Sequence, residues 1–390
     1  MSEELHLAVK YRPRKFGDVL GQDYAVSSLA GMIEQEKIRP MIILHGPHGT
    51  GKTTLARVFS MVINCEDKKL KGGIVDACGK CKSCLLAERM ILGRPEHPDI
   101  TELNVSLHGG VDKVRQLESL ATVFPRFKYR TFILDEAQGI TGAGFKGALK
   151  LFEDVPKRTK YILCTTDFDK IPDAIRGRSQ IYKLQRVPNQ AIAKRLFEVA
   201  KKEGFKPGGP ENLKKLCMQI ANVADGHVRD ALGLLDNLIN YAHTKRQQGE
   251  EWKDILSVMM KEAPELSPLV DVKSYMRALF DGDVKTVLLA IHQSQNPEYL
   301  LRRVIGAFQS IMHKWAGIKV GSSNDWVLKK AQVPGPKFGM KVLAESDDVA
   351  YVLSLYNDAL YRIKMYSSDP QAELQVATLR ALRVVKPWLE

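Results

Sequence analysis

No apolar stretch in the sequence approaches the roughly 20 residues that a membrane-spanning helix needs, so no membrane association is expected. The start, Met1-Ser2-Glu3-Glu4, lacks the basic and apolar segments of a secretory signal, which points to the cytoplasm. Cysteine is scarce. Six in 390 residues are too few for a disulfide scaffold, and four of them cluster. Basic residues form no tail or block; they are scattered, so the sequence does not locate a positive patch. They nevertheless outnumber acidic ones by 58 to 45, a net charge of +13. That surplus favours a polyanionic partner, most simply nucleic acid, with a generally basic soluble surface as the alternative. The length provides for two or three domains, each with its own core.

One stretch carries most of the chemistry. After the apolar run Met41 to Leu44 come Gly46, Pro47, His48, Gly49, Thr50, Gly51, Lys52 and Thr53, matching G-x-x-x-x-G-K-[ST] without a gap. The glycines let successive backbone N–H groups turn inward around phosphates, Lys52 adds a point charge, and the Thr53 hydroxyl can ligate magnesium. A helix is expected from Lys52 to about Ile63, its positive end on the same phosphates, with Thr54 in its first turn. The alternative is a chance glycine-rich turn, against which stand the strand before it and the helix after it.

Upstream, Lys10-Tyr11-Arg12-Pro13 is extended or turning before proline, and Asp23 is placed to cap a helix through about Gln35. Downstream, Cys65, Cys78, Cys81 and Cys84 combine a C-x₂-C-x₂-C knuckle with a fourth cysteine thirteen positions earlier. This fits a closed tetrahedral zinc site of structural rather than catalytic kind, with Lys80 and Lys82 offsetting its charge. Reduced thiols or a redox pair are the alternatives. The zinc would staple the insertion from Glu66 to Ala77, which has little apolar content of its own.

Strands are expected at Asp99 to Asn104, Thr131 to Glu136, Tyr161 to Thr166 and Gln180 to Leu184. Helices are expected from Gly110 to about Val123 and from Gly144 to Glu153. Asp135 and Glu136 end an apolar strand 83 residues after Lys52. In phosphate-loop ATPases the first such carboxylate holds the magnesium shell and the second polarises the attacking water. The hydroxyls of Thr165 and Thr166 can reach a γ-phosphate or simply complete a strand. Strand, helix and turn signals alternate from 20 to 185, giving an α/β fold with a parallel, helix-flanked sheet.

From Pro188 the pattern is helical only, with segments near 189–203, 211–222 and 226–242 forming a small lid. Arg229 falls in the first turn of the third, a poor place for an unpaired cation, so it either faces an anion or pairs on the surface with Asp230. The domains are therefore 1–186 (ATPase core with a zinc insertion at 65–84), 187–245 (three-helix lid), 246–268 (linker) and 269–390 (all-α). In the last, helices are expected from Asn296 to about Trp315, from Asp348 to about Tyr366, and after Asp369-Pro370, with proline at the first position.

Together these residues resemble the clamp-loader ATPases of the AAA+ class, nearest the bacterial polymerase III gamma/tau type. The resemblance is carried by Lys10 to Pro13, Val19-Leu20-Gly21-Gln22, the phosphate loop, the four cysteines, Asp135-Glu136, Thr165-Thr166 and Val228 to Leu232. It implies that Tyr11, Arg12 and Val19 line the adenine pocket and that Thr165 and Arg229 are the first and second sensors of the γ-phosphate. Arg178 stands where the family presents an arginine finger to a neighbour's ATP. Gly177-Arg178-Ser179 departs from the family's Ser-Arg-Cys, and Ser106-Leu107-His108-Gly109 from its Ser-Asn-Asn-Gly. Nothing follows residue 390 where tau-type subunits continue, which suggests a divergent short form, bacterial or phage-encoded.

The implied function is an ATP-driven loader using ATP, Mg²⁺ and Zn²⁺. It would act with a sliding clamp, primer-template DNA and other loader subunits in a pentamer held by a helical collar. Lys113, Arg115 and Lys146 are the DNA-contact candidates. The alternatives are another AAA+ nucleic-acid motor, for helicase loading or branch migration, and an ATPase-silent loader subunit.

Overall fold

The computed structural model describes residues 5–94, 97–105, 117, 119–140, 145, 151–249, 251, 275–276, 278–279, 281–293, 297–315, 346–366 and 368–385. The chain divides into two compact units, Met1–Gln247 and Gln248–Glu390.

The first unit is organised around five parallel strands: β1 (Met41–His45), β4 (Ile100–Asn104), β5 (Arg130–Asp135), β6 (Thr159–Thr165) and β7 (Gln180–Lys183). Their order is β4-β5-β6-β1-β7, with β1 paired in parallel to both β6 and β7. The middle strands are buried on both faces, which is why they read as unbroken apolar runs. Ile42, Leu44, Ile133, Ile162 and Cys164 face one core, with helix α2 (Asp23–Glu34), α3 (Lys52–Ile63) and α4 (Lys82–Ile91) supplying much of the rest. Met41, Ile43, Phe132, Leu134, Tyr161 and Leu163 face the other, with Leu117, Ala121, Phe145 and Phe152. The two-residue alternation along each strand sorts these side chains.

One expectation needs correction, and one segment carries structure that its composition does not announce. Asp23 does not cap α2: it lies inside the first turn, and the cap position belongs to Gln22, which makes no side-chain capping bond. The Gln22 amide instead donates to the carbonyls of Thr50 (3.3 Å) and Gln185 (2.7 Å), tying the helix start to the phosphate loop and to the segment after β7. The insertion after α3 is that segment. It forms a hairpin of β2 (Lys69–Lys71) and β3 (Ile74–Asp76), joined by Gly72 and Gly73, both at positive φ as a two-residue primed turn requires. Val75 and Ala77 enter the first core beside Cys65 and Cys84.

A short helix, α1 (Leu7–Lys10), opens the described chain, and α5 (Asp173–Arg176) precedes β7. Three helices follow: α6 (Asn189–Lys202), α7 (Pro210–Ala224) and α8 (Val228–Gln247). The amino-terminal arm is pinned to this group and to the hairpin. Asp236 accepts the Leu7 N–H (3.1 Å), Glu203 pairs with Lys10 (2.8 Å), and the Asp76 carboxylate accepts the Phe16 N–H (3.1 Å).

In the second unit, α9 (Val284–Gln293), α10 (Pro297–Trp315), α11 (Ser346–Tyr366) and α12 (Pro370–Val385) share a core with Tyr275, Met276 and Leu279. Asp369 caps α12 through the N–H groups of Gln371 and Ala372, both 3.2 Å away, with Pro370 at the first helical position. The Tyr275, Tyr356 and Thr378 hydroxyls satisfy one another inside that core. No described helix is long and apolar enough to cross a membrane.

Candidate functional site

The site is built where β1, β5 and β6 end. Beyond His45 the chain turns back within six residues into α3, and this needs glycine where the backbone comes closest to a neighbour. A Cβ on Gly46 (φ +146°) would lie 2.3 Å from the Leu184 carbonyl oxygen; one on Gly49 (φ +75°) would lie 3.0 Å from the His227 ring. Helix α3 begins at Lys52, as its pattern predicts. Lys52 is only 7% exposed, and its Nζ donates to the carbonyls of Gly46 (2.9 Å) and Pro47 (2.8 Å). Burial pulls its pKa below the ordinary lysine value, and the nearby Glu136 and Asp135 charges work against that. The Thr50 hydroxyl braces the loop by donating to the Pro47 carbonyl at 2.9 Å.

Strand β5 carries Asp135 to the same place. The Thr53 hydroxyl donates to Asp135 Oδ2 at 2.9 Å, and burial raises the carboxyl's pKa above the usual value. A threonine oxygen and a carboxylate at this separation form the pair of hard oxygen donors that magnesium takes alongside phosphate. Glu136 follows in the left-handed region (φ 53°, ψ 45°), uncommon for a residue with a Cβ. Its carboxylate accepts a hydrogen bond from the Gln138 side-chain amide.

A cavity of about 410 Å³ joins these parts, inside the roughly 300–1,000 Å³ range of small-ligand sites. Of the residues expected from sequence, Tyr11, Arg12, Val19, His48, Gly49, Thr50, Gly51, Lys52, Thr53, Thr54, Asp135, Glu136 and Arg229 line it. Gly46 and Pro47 lie in the loop and meet the site through the carbonyls that hold Lys52. The arm side of the cavity is well anchored. Arg12 donates to the Ile91 carbonyl (2.7 Å), while burial and the Arg57 and Arg229 charges bring its pKa down to about 10. The Tyr11 hydroxyl donates to Glu203, and burial together with that carboxylate raises its pKa to about 12.

Two expected residues stand off the cavity. Thr165 is fully buried, its hydroxyl 2.8 Å from Gln138 Oε1 and 2.9 Å from the Asp167 carbonyl, while its own carbonyl accepts the Gly46 N–H at 3.2 Å. Arg178, half exposed before β7, pairs with Glu153 at 3.2 Å and donates to the Ala174 carbonyl at 3.0 Å. Lys113, Arg115 and Lys146 lie outside the described residues.

Sequence reading missed several neighbours. Arg57, one turn beyond the loop on α3, lines the cavity and makes two 2.6 Å bonds to Glu102 of β4. Arg195 of α6 reaches the cavity and donates to the Tyr11 carbonyl at 3.3 Å. No local motif marks either one, because the chain brings them in from other elements. Gln138 had a weak signal, standing two residues after the paired carboxylates.

The four cysteine sulfurs lie within 4.8 Å of one another. Cys78 and Cys84 sulfurs are 3.9 Å apart, against the roughly 3.8 Å edge of a tetrahedron with 2.3 Å Zn–S bonds. Backbone N–H groups point at them: Cys78 N–H at Cys65 Sγ (3.3 Å), Lys80 and Cys81 N–H at Cys78 Sγ (3.4 and 3.3 Å), Cys84 N–H at Cys81 Sγ (3.5 Å). Burial opposes ionisation of Cys78, but those donors and neighbouring thiols outweigh it and bring its pKa to about 7. This donor set fits a thiolate-bound divalent metal.

The parallel sheet, the loop between β1 and α3, and the carboxylates at the end of β5, two strands from β1, define a phosphate-loop nucleotide-binding fold. The family described as DNA polymerase III, delta subunit, matches residues 21–188. The gamma/tau subunit of DNA polymerase III from Mycoplasma pneumoniae is 33% identical over 237 residues, covering 60% of this chain and 33% of that one. Its counterpart from Mycoplasma genitalium is 27% identical over 386 residues, covering 93% and 61%. A solved structure of Thermotoga maritima RuvB aligns with a TM-score of 0.46 at 16% identity, over 69% of this chain and 79% of that one. Over most of its length the chain is thus similar to gamma/tau subunits of DNA polymerase III. It spans about a third and three-fifths of the length of those two Mycoplasma relatives.

Proposed function

We propose that the protein is an ATP-driven sliding-clamp loader subunit acting in DNA replication. One observation carries this: Lys52, Thr53, Asp135, Glu136 and the helix-α8 residue Arg229 converge on a single cavity, with Thr53 and Asp135 2.9 Å apart. The loop N–H groups and Lys52 bind the β- and γ-phosphates, and Arg229 faces the γ-phosphate from the lid. Thr53 and Asp135 would hold Mg²⁺, which would supply charge neutralisation at those phosphates. Glu136 orients the attacking water and takes its proton as the water oxygen bonds to the γ-phosphorus. The bond from that phosphorus to the bridging oxygen breaks, leaving ADP and phosphate. Thr165 acts as first sensor, and Tyr11, Arg12 and Val19 frame the adenine. Arg178 completes a neighbour's site, so turnover needs an oligomer, proposed as a pentamer.

In this reading 1–186 is the motor, 187–245 its lid, 246–268 the linker and 269–390 a collar. Zinc on Cys65, Cys78, Cys81 and Cys84 staples the hairpin, and the excess of basic residues follows DNA phosphates without reading sequence, in the cytoplasm. ATP binding closes the ring of subunits to open the clamp, and hydrolysis releases it on primer-template DNA.

The test is steady-state ATPase of the assembled protein with and without clamp and primed DNA. Joint stimulation, abolished by Lys52→Ala, is the expected result. Stimulation by DNA without any clamp dependence would replace the loader by a different AAA+ motor. No turnover under any condition would leave an ATPase-silent subunit.

A further inference from the structure

We infer that Gln138 is a positioning residue that ties Thr165 to Glu136, so that the orientation of the water-activating carboxylate is set from strand β6; this rests on the ATPase reading of the same site. The connection is a directed chain of donors. The Thr165 hydroxyl donates to Gln138 Oε1 at 2.8 Å, the Thr166 N–H approaches the same oxygen at 3.3 Å, and the other end of that amide donates to Glu136 Oε2. One rigid, planar group thus reads β6 with its oxygen and holds the Glu136 carboxylate with its nitrogen.

The local backbone explains why Glu136 needs such a hold. It sits at φ 53°, where a side chain leaves the chain in an unusual direction, and the single turn Ala137–Gly139 follows immediately. That turn, closed by the Gly139 N–H to the Glu136 carbonyl at 2.8 Å, swings Gln138 back beside the carboxylate two residues before it. A glutamate has three side-chain torsions, and only an external partner fixes its far end. Gln138 itself does not line the cavity, whereas Glu136 does. Gln138 therefore acts through Glu136.

The other end of the chain is buried and hydrogen-bonded. Thr165 is fully buried on a central strand, its carbonyl accepts the Gly46 N–H of the phosphate loop at 3.2 Å, and the Asp167 N–H returns to its hydroxyl at 3.1 Å. The phosphate loop, β6 and the carboxylate are thereby one hydrogen-bonded assembly, in which the Gln138 amide contacts both Thr165 and Glu136.

The test uses the full chain in its assembled form and compares Gln138→Leu, Thr165→Val and the double variant. Gln138→Leu keeps the volume and removes both amide contacts. The expected result is a fall in kcat of about 10²-fold, with KM and ATP affinity within about twofold of the parent. The double variant should be no slower than the slower single one, as two links of one chain require. Losses that multiply in the double variant, or a fall in ATP affinity that matches the fall in kcat, would overturn the coupling. Should the leucine variant not fold, Gln138→Asn, which withdraws the amide by one methylene, is read in the same way. A parent protein that binds ATP and never turns it over removes the ATPase reading and this inference together. A turning-over parent with multiplicative losses removes the inference alone.

Discussion

The two edges of the parallel sheet spend their polar residues in opposite ways. At the amino edge, just before β4, Asp99 is fully buried and accepts N–H groups from Arg126 (2.9 Å) and Phe127 (2.7 Å) and the Arg130 guanidinium (3.4 Å). Arg130 in turn donates to the carbonyls of Val123 (3.1 Å) and Pro98 (3.3 Å). Lys160, at the start of β6, reaches the Ile38 carbonyl at 3.2 Å. Asp99 and Arg130 are paired with each other and hydrogen-bonded on their other sides, as low-dielectric surroundings demand, while Lys160 rests on backbone carbonyls and burial lowers its pKa. At the carboxyl edge, Lys52 rests on two carbonyls, Asp135 is desolvated with its pKa raised, and Glu136 is in a left-handed conformation. Open α/β sheets bind ligands outside the carboxyl ends of their strands, and here the difference is written in how completely each charge is satisfied. One edge holds the fold; the other keeps its groups available.

The comparison breaks most visibly if the edges exchange roles on substitution. Glu136→Gln should lower turnover of the assembled protein by about 10²- to 10⁴-fold while moving the thermal midpoint by no more than about 2 °C. A large loss of thermal stability would mean that the carboxyl edge is structural too. Asp99→Ala should do the reverse. It leaves Arg130 buried without its carboxylate and two N–H groups without an acceptor, a cost of about 3–5 kcal/mol, or about 10 °C in midpoint. Turnover per folded molecule at low temperature should stay near the parent value. An unchanged midpoint in differential scanning calorimetry would show that Asp99 is not an anchor.

Much of this contrast was legible in the sequence, and the reasons differ by element. Strands buried on both faces announce themselves as apolar runs, so Met41–His45 and Thr159–Thr165 lie close to where the pattern puts them. Lys52, Thr53, Asp135 and Glu136 are readable because phosphate chemistry needs those types at those spacings. Arg57, Arg195 and Gln138 are not, since each reaches the site only once distant elements or a tight turn have formed. The hairpin at Lys69–Asp76 was readable in principle from Gly72-Gly73, but three-residue strands are too short for alternation to register. Asp23 misled because its composition suits a cap, while tertiary bonding gives the preceding position to Gln22.

A finer test of the saturated edge uses His97, which lies behind Asp99 at only 7% exposure. Its Nδ1 accepts the Asp99 N–H at 3.1 Å, which leaves the proton on Nε2, 3.1 Å from the Ser83 hydroxyl, with the ring 5.3 Å from that of Phe127. A second proton on Nδ1 would oppose an N–H to an N–H in a desolvated place. Burial therefore lowers the pKa to about 4, with the Asp99 charge only partly offsetting it. In the unfolded chain the value is about 6.5. Between those two values the unfolded state binds a proton that the folded state refuses, so stability falls as pH drops from about 6.5 towards about 4. The full loss is about 3 kcal/mol. His97→Gln keeps an acceptor for the Asp99 N–H and a donor for Ser83 but does not titrate. Its thermal midpoint, followed from pH 7 to pH 4.5 beside the parent, should decline less steeply, the two curves converging on acidification. Parallel curves would show that His97 is not held neutral by the amino edge, and the saturation argued for that edge would then stop at Asp99 and Arg130.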